Sequence, residues 1–186
     1  MTEKKKQRTI VPTFGEIQYV TKEIFSWSRA IHELDKDVTP QFNNEREYTE
    51  WFISEPLKFF IPHVSNGAEL ADVQTEKRLG RLRIDVLATA TNGDVFGFEL
   101  KAQNKRSPQV HAYSVASGIG QALLYQDILC EMYKCNVTVF LTSDQLTSRV
   151  AGIVARRDYF IGLLQANKAG SICFMRATED DDAQDR

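Results

Sequence analysis

Residues 82–101 read Leu82-Arg83-Ile84-Asp85-Val86-Leu87-Ala88-Thr89-Ala90-Thr91-Asn92-Gly93-Asp94-Val95-Phe96-Gly97-Phe98-Glu99-Leu100-Lys101, and they decide the fold. Their period-two alternation predicts two half-buried strands, with Thr91-Asn92-Gly93-Asp94 as the hairpin turn between them. The apolar set Leu82, Ile84, Val86, Phe96, Phe98 and Leu100 is entirely even-numbered. Residues opposite each other in an antiparallel pair share a face, so partners must sum to an even number. The odd face then carries Arg83, Asp85 and Leu87 on one strand and Val95, Gly97, Glu99 and Lys101 on the other, which makes Asp85 and Glu99 cross-strand neighbours. A plain two-residue Asn92-Gly93 turn would give an odd sum and turn Asp85 to the wrong face. The parity therefore predicts a one-residue bulge, or a three-residue loop with Gly93 in the left-handed region.

Upstream, Val73 and Thr75 alternate in the same way and Gly80 separates them from the hairpin, which predicts a three-stranded meander. Downstream, a helix is expected from Tyr113 to Lys134, then the apolar strand Val137–Thr142, a helix from Thr147 to Ala166 and a last strand Ser171–Arg176. Nearer the start, Phe14, Ile17, Val20, Ile24, Phe25, Trp27 and Ile31 recur at helical spacing and predict a first helix from Thr13 to Leu34. Asn43 or Asn44 caps a second helix, whose early acids Glu45, Glu47 and Glu50 suit the positive end of the helix dipole, and Pro56 and Pro62 limit its length. The expected architecture is α/β, a mixed central sheet flanked by helices. It occupies a single domain over 13–178, between a flexible basic arm at 1–12 and an acidic disordered tail at 179–186.

The 186 residues carry 23 basic and 25 acidic side chains, a net charge of -2, which excludes a protein that coats nucleic acid by bulk charge. Distribution is more informative than the sum. Cations gather in Lys77-Arg78-Arg81-Arg83 and Lys101-Lys105-Arg106, and anions in Glu179-Asp180-Asp181-Asp182. No apolar run reaches the roughly 18–20 residues that span a bilayer, so a soluble, cytoplasmic protein without membrane contact is expected. Cys130, Cys135 and Cys173 lack paired metal or redox spacing, and Cys130 and Cys173 are expected in the core.

Two adjacent carboxylates repel unless a positive charge lies between them, and hard oxygen donors suit magnesium or manganese. Such an ion at Asp85 and Glu99, with Lys101 beside it to orient a water or stabilise developing negative charge, is the apparatus of phosphodiester hydrolysis. An isolated E-x-K taken alone reads as a surface ion pair.

Arg83-Ile84-Asp85-Val86-Leu87, a hairpin turn and Phe98-Glu99-Leu100-Lys101 together resemble the motif of the PD-(D/E)XK nuclease superfamily, without the proline before Asp85. Gln121-Ala122-Leu123-Leu124-Tyr125 resembles the Q-x-x-x-Y motif of its RecB-type branch, placing Gln121 and Tyr125 on one helix face. The resemblance implies a restriction-endonuclease-like fold, metal ligation by Asp85, Glu99 and the Leu100 carbonyl, and Lys101 as catalytic lysine, with Gln121 and Tyr125 supporting the site. It also implies a glutamate on the preceding helix near the metal, for which Glu47 is chosen and Glu50 is next. Four cysteines of an iron-sulfur cluster are not available, so no iron-sulfur cluster is expected. His32, His63 and His111 lie outside the motif. The expected function is a Mg2+ or Mn2+-dependent deoxyribonuclease on duplex, single-stranded or branched DNA, with Arg81, Arg83, Lys105 and Arg106 holding phosphates. It would act alone, as a homodimer or within a larger nuclease assembly. The alternative is a non-catalytic nucleic-acid-binding or interaction protein that retains the fold.

Overall fold

The computed structural model describes residues 17–20, 41–54, 56–103, 108–146, 150, 161–168 and 170–174. Seven strands form one mixed sheet: β1 (Ile17–Val20), β2 (Leu70–Leu79), β3 (Leu82–Ala90), β4 (Val95–Lys101), β5 (Val137–Ser143), β6 (Gly162–Asn167) and β7 (Gly170–Phe174). Their order across the sheet is β1-β7-β6-β5-β4-β3-β2. Helices α1 (Glu45–Ser54) and α2 (Pro56–Val64) precede β2, and α3 (Pro108–Met132) joins the parallel pair β4 and β5. A parallel pair needs such a crossover because the chain must return to the same end of the sheet.

Each sheet face has its own core. Against one face, α1 and α2 bring Tyr48, Phe52, Leu57, Phe60 and Ile61 onto Val86, Ala88, Phe96, Phe98, Leu100 and Phe140. Phe98 and Phe140 stack at 5.4 Å, with Phe52 edge-on to Phe98 and Phe60 edge-on to Phe140, arrangements that suit the aromatic quadrupole. Against the other face, α3 lays Val115, Ile119, Ala122, Tyr125 and Leu129 on Leu87, Val95, Val139 and Leu141. Asn44 begins α1: its main-chain carbonyl accepts from Tyr48 N and its side chain accepts from Glu47 N at 2.9 Å. Pro56 opens α2, where its missing N–H costs nothing, and Pro62 lies inside that short helix.

The meander β2-β3-β4 is the expected one. Val86 pairs with Phe98 and Thr89 with Val95. Ala90 N donates to Asp94 O and Gly93 N to Ala90 O, which closes a three-residue loop, and Gly93 has φ +91°. The parity is thus met by the longer loop. Between β2 and β3, Leu79 pairs with Leu82 across Gly80-Arg81, and Gly80 at φ +63° supplies the left-handed position of a two-residue turn.

Several expectations need correction. Ile17–Val20, inside the expected first helix, is strand β1, paired in parallel with β7; its β-branched and aromatic residues suit a ladder, and pairing overrides the helical spacing. The rest of 13–34 lies outside the described residues, as do 1–12 and 179–186. Residues 162–166, inside the helix expected from Thr147 to Ala166, belong instead to strand β6, buried along its whole length, while 147–149 and 151–160 lie outside the described residues. Fully buried strands lose the alternation that identifies them in sequence. Cys130 is exposed rather than packed, on the outer side of α3. Among the described residues, no helix is long and apolar enough to cross a membrane.

The largest departure lies in β3. Ile84 belongs to the α3 core while Val86 belongs to the opposite one, although two residues apart they should share a face. The alternation breaks at Asp85, beyond which no β3–β4 pairing continues. Gly97 makes room for the displaced side chain: a Cβ there would lie 2.7 Å from Ile84 Cδ1, 3.0 Å from Val139 Cγ2 and 3.1 Å from Leu129 Cδ1. Gly97→Val should therefore destabilise the protein by about 1–3 kcal/mol through overpacking. Gly120→Ala, on the open side of α3, should instead stabilise it by roughly 0.5–1 kcal/mol. Equilibrium denaturation of both variants checks the pair; equal effects would contradict the break at Asp85.

Candidate active site

The break gives Asp85 a task that no regular strand residue has. Where the β3–β4 ladder stops, Asp85 Oδ2 accepts a hydrogen bond from Leu100 N at 2.8 Å, a side chain standing in for a main-chain partner. Continuing the register brings Asp85 opposite Glu99, as the parity required. On β4, Glu99 and Lys101 project to the same face, and Lys101 Nζ donates to Glu99 Oε1 at 2.5 Å, with side chains only 11% and 3% exposed. The lysine stem passes α3 at Gly118, where a Cβ would stand 3.3 Å from Lys101 Cε and 2.6 Å from Leu141 Cδ1. Only glycine leaves that passage open.

Burial is the first cause of the site's electrostatics. It raises the Glu99 carboxyl to about 7, with the Asp85 charge adding to the rise and the Lys101 hydrogen bond opposing it. Burial also raises Asp85, against the Leu100 N–H and the Lys101 charge. For Lys101, burial alone would favour the neutral amine, but its bond to Glu99 and the nearby acids outweigh it and the ammonium pKa rises. The second oxygen of Glu99 has no hydrogen-bond partner; with Gln103 Oε1 and Thr142 Oγ1 it is one of the buried side-chain oxygens left so among the described residues. A buried, partnerless carboxylate oxygen costs several times what a hydrogen bond returns, unless a cation takes it.

Tyr125 and Gln121 approach from α3. Tyr125 Oη donates to Arg83 O at 2.8 Å and so fixes the main chain two residues before Asp85. Burial and the charges of Glu99 and Asp85 raise its phenol pKa, opposed by a hydrogen bond with Gln121. Here the tyrosine holds the broken strand, and Gln121 stays exposed beside it.

Glu47 is not brought to this cluster. Its carboxylate accepts from Asn43 N at 2.9 Å and from Asn43 Nδ2 at 2.6 Å, closing a capping arrangement at the start of α1. Glu50 pairs with Arg46 on the outer side. Glu45 is the acid that faces the site: burial raises its carboxyl, Asp85 adds, and the charges of Lys101 and His111 oppose. It remains solvent-open at the mouth of the cluster. Helical spacing held the clue, because Glu45 precedes the buried Tyr48 and Phe52 by three and seven residues, whereas Glu47 does not share their stripe.

A second polar cluster closes the ends of β4 and β5. Buried His111 places Nδ1 3.0 Å from Ala102 O and Nε2 2.9 Å from Gln145 O. Ser143 Oγ donates to Lys101 O at 2.6 Å, and Asp144 Oδ1 accepts from Gln103 N at 2.6 Å. These bonds brace the strand end that carries Lys101. Arg81 and Arg83 are exposed on the β2–β3 hairpin, while Lys105 and Arg106 lie outside the described residues. Among the described residues, no group of three His, Cys, Asp or Glu side chains stands at metal-ligand spacing.

No protein-family model matches the chain, and no curated protein does. Solved structures with partial likeness include a repair endonuclease from Pyrococcus abyssi, at a TM-score of 0.43 and 20% identity over 75% of this chain and 49% of that one. The EndoMS-dsDNA2 complex gives 0.43 and 19% over 77% and 48%, and SfsA of Pyrococcus furiosus in complex with Ca2+ gives 0.31 and 12% over 69% and 65%. The chain spans about half the length of the first two.

Proposed function

We propose that the chain is a metal-dependent nuclease that hydrolyses phosphodiester bonds of DNA. The observation that carries this reading is the partnerless, buried Glu99 Oε2 beside Asp85, with Lys101 engaged on the other oxygen of the same carboxylate. Two carboxylates of this kind fit a hard divalent cation and fit little else. Asp85, Glu99 and the Leu100 carbonyl would hold magnesium or manganese, which would polarise the phosphoryl group and acidify water. Glu45, rather than Glu47, would be the third acid at the mouth.

The chain's own groups define the rest. Lys101 spends one ammonium N–H on Glu99 Oε1 and keeps two donors to orient the attacking water or meet the charge that develops on the phosphate. Tyr125, through Arg83 O, holds Asp85 at its angle to β4. Arg81 and Arg83 on the hairpin, with Lys105 and Arg106 beyond Lys101, supply phosphate contacts that read no base.

Cleavage of single-stranded, duplex and branched DNA should require magnesium or manganese and vanish in EDTA. Asp85→Ala and Lys101→Ala should each lower it by roughly 100-fold or more. Cleavage that survives both substitutions contradicts the assignment.

A second expectation follows from the proton and cation competing for Glu99. With the folded carboxyl near 7 and its ordinary value at 4.5, the native state holds the proton over that window and the unfolded chain does not. Metal-free stability should therefore be full below the lower value and fall as pH rises through the upper one, by at most on the order of 3 kcal/mol. Manganese should restore the thermal midpoint at the alkaline end. Glu99→Gln should flatten the profile in EDTA and remove the response to manganese; an unchanged profile would show that Glu99 is not the group responsible.

A further inference from the structure

Past the break at Asp85, β2 and β3 continue as a two-stranded ribbon without β4, from Lys77 opposite Ile84 to the turn at Gly80-Arg81. One side of this ribbon is spoken for: Leu79, Leu82 and Ile84 pack into the α3 core. Arg78 and Arg83, both exposed, stand directly opposite each other in the ladder. Like charges in that position repel. One acid offsets them, since Glu76 Oε2 meets Arg83 Nε at 2.6 Å, with the two side chains 55% and 63% exposed.

Glu76 reaches that position at a cost. Its φ is +54°, a left-handed conformation that an L-residue with a long side chain adopts only where its surroundings impose it. The position falls opposite Asp85, between the pairs Thr75–Val86 and Lys77–Ile84. An ion pair so open to solvent returns little stability, so neither the strain nor the opposed arginines are explained by folding. Both features occur at the root of the ribbon, where the Arg83 and Glu76 charges act on Asp85.

We propose that Arg78 and Arg83 form a clamp for one phosphodiester group of the substrate strand beside the cleavage site, and that Glu76 occupies this clamp in the free protein until the strand displaces it. The proposal rests on the nuclease reading for the identity of the strand. The Arg83 fork can bind a phosphate through two parallel hydrogen bonds, and Arg78 faces it across the ladder. Glu76 relieves the repulsion when no strand is present and lowers affinity for anions by the same contact.

The test reads binding rather than cleavage. A fluorescein-labelled DNA duplex is titrated with protein in EDTA at several salt concentrations, followed by anisotropy, for the wild type, Arg78→Ala and Glu76→Gln, with circular dichroism and the thermal midpoint recorded for each. Arg78→Ala should weaken binding and reduce the salt slope by about 1, the loss of one phosphate contact. Glu76→Gln keeps side-chain length but drops the charge, and should tighten binding by about two- to fivefold at low salt, the scale of one exposed ion pair. Folded variants with wild-type affinity and slope would overturn the clamp, as would a wild type that binds no duplex at low salt. Binding that responds to both substitutions without cleavage in any metal supports the clamp while removing the nuclease reading. Cleavage with affinity indifferent to both does the reverse.

Discussion

The hydrogen bond from Leu100 N to Asp85 Oδ2 is the constraint on which the rest of the molecule depends. A strand that kept its ladder would give Leu100 N a main-chain partner on β3 and leave the Asp85 carboxylate opposite Glu99 without that anchor. By ending the ladder at Val86 and Phe98, the chain turns Asp85 sideways, and a main-chain donor that would otherwise be orphaned holds it there. The consequences spread outward. Ile84 crosses to the other core, Gly97 yields the space it enters, and Tyr125 grips the Arg83 carbonyl.

The energetic character of this region is opposite to that of the aromatic core on the other face. There, Phe52, Phe60, Phe98 and Phe140 bury large apolar area in favourable ring geometries. At the end of β4, two acids and an ammonium are withdrawn from water, and one carboxylate oxygen is left without a partner. Removing charge from water is expensive, and the Lys101–Glu99 pair offsets only part of it. The bonds of His111, Ser143 and Asp144 at the exits of β4 and β5 hold the strand end firm against that repulsion. A rigid sheet with a locally unfavourable cluster is what the proposed cation site would require.

Much of this was legible in the residues themselves. The even-numbered apolar set and the two-carboxylate argument lead to either a one-residue bulge or a three-residue loop with Gly93 in the left-handed region, and to Asp85 opposite Glu99; the structure has the three-residue loop. The same alternation misassigned Ile84, because periodicity assumes a regular strand and the break is made by a long-range bond to Leu100. The choice of Glu47, with Glu50 next, does not weigh Glu45, because all three acids suit a helix dipole; the bond to Asn43 and the stripe with Tyr48 and Phe52 separate Glu47 from Glu45 only once α1 is placed against the sheet. Ile17–Val20 and 162–166 read as helix in the sequence because strand identity there comes from partners distant in the chain. Gly118 had no sequence signal, since its importance lies in what passes it.

The central claim is that Asp85 and Glu99 together hold one divalent cation. Anomalous diffraction from crystals soaked in manganese tests it most directly. The account predicts a single strong peak between Asp85 and the free oxygen of Glu99, within coordination distance of the Leu100 carbonyl, and no such peak in Glu99→Gln crystals. An empty cluster in the soaked wild type, or a peak unchanged by the substitution, would contradict it.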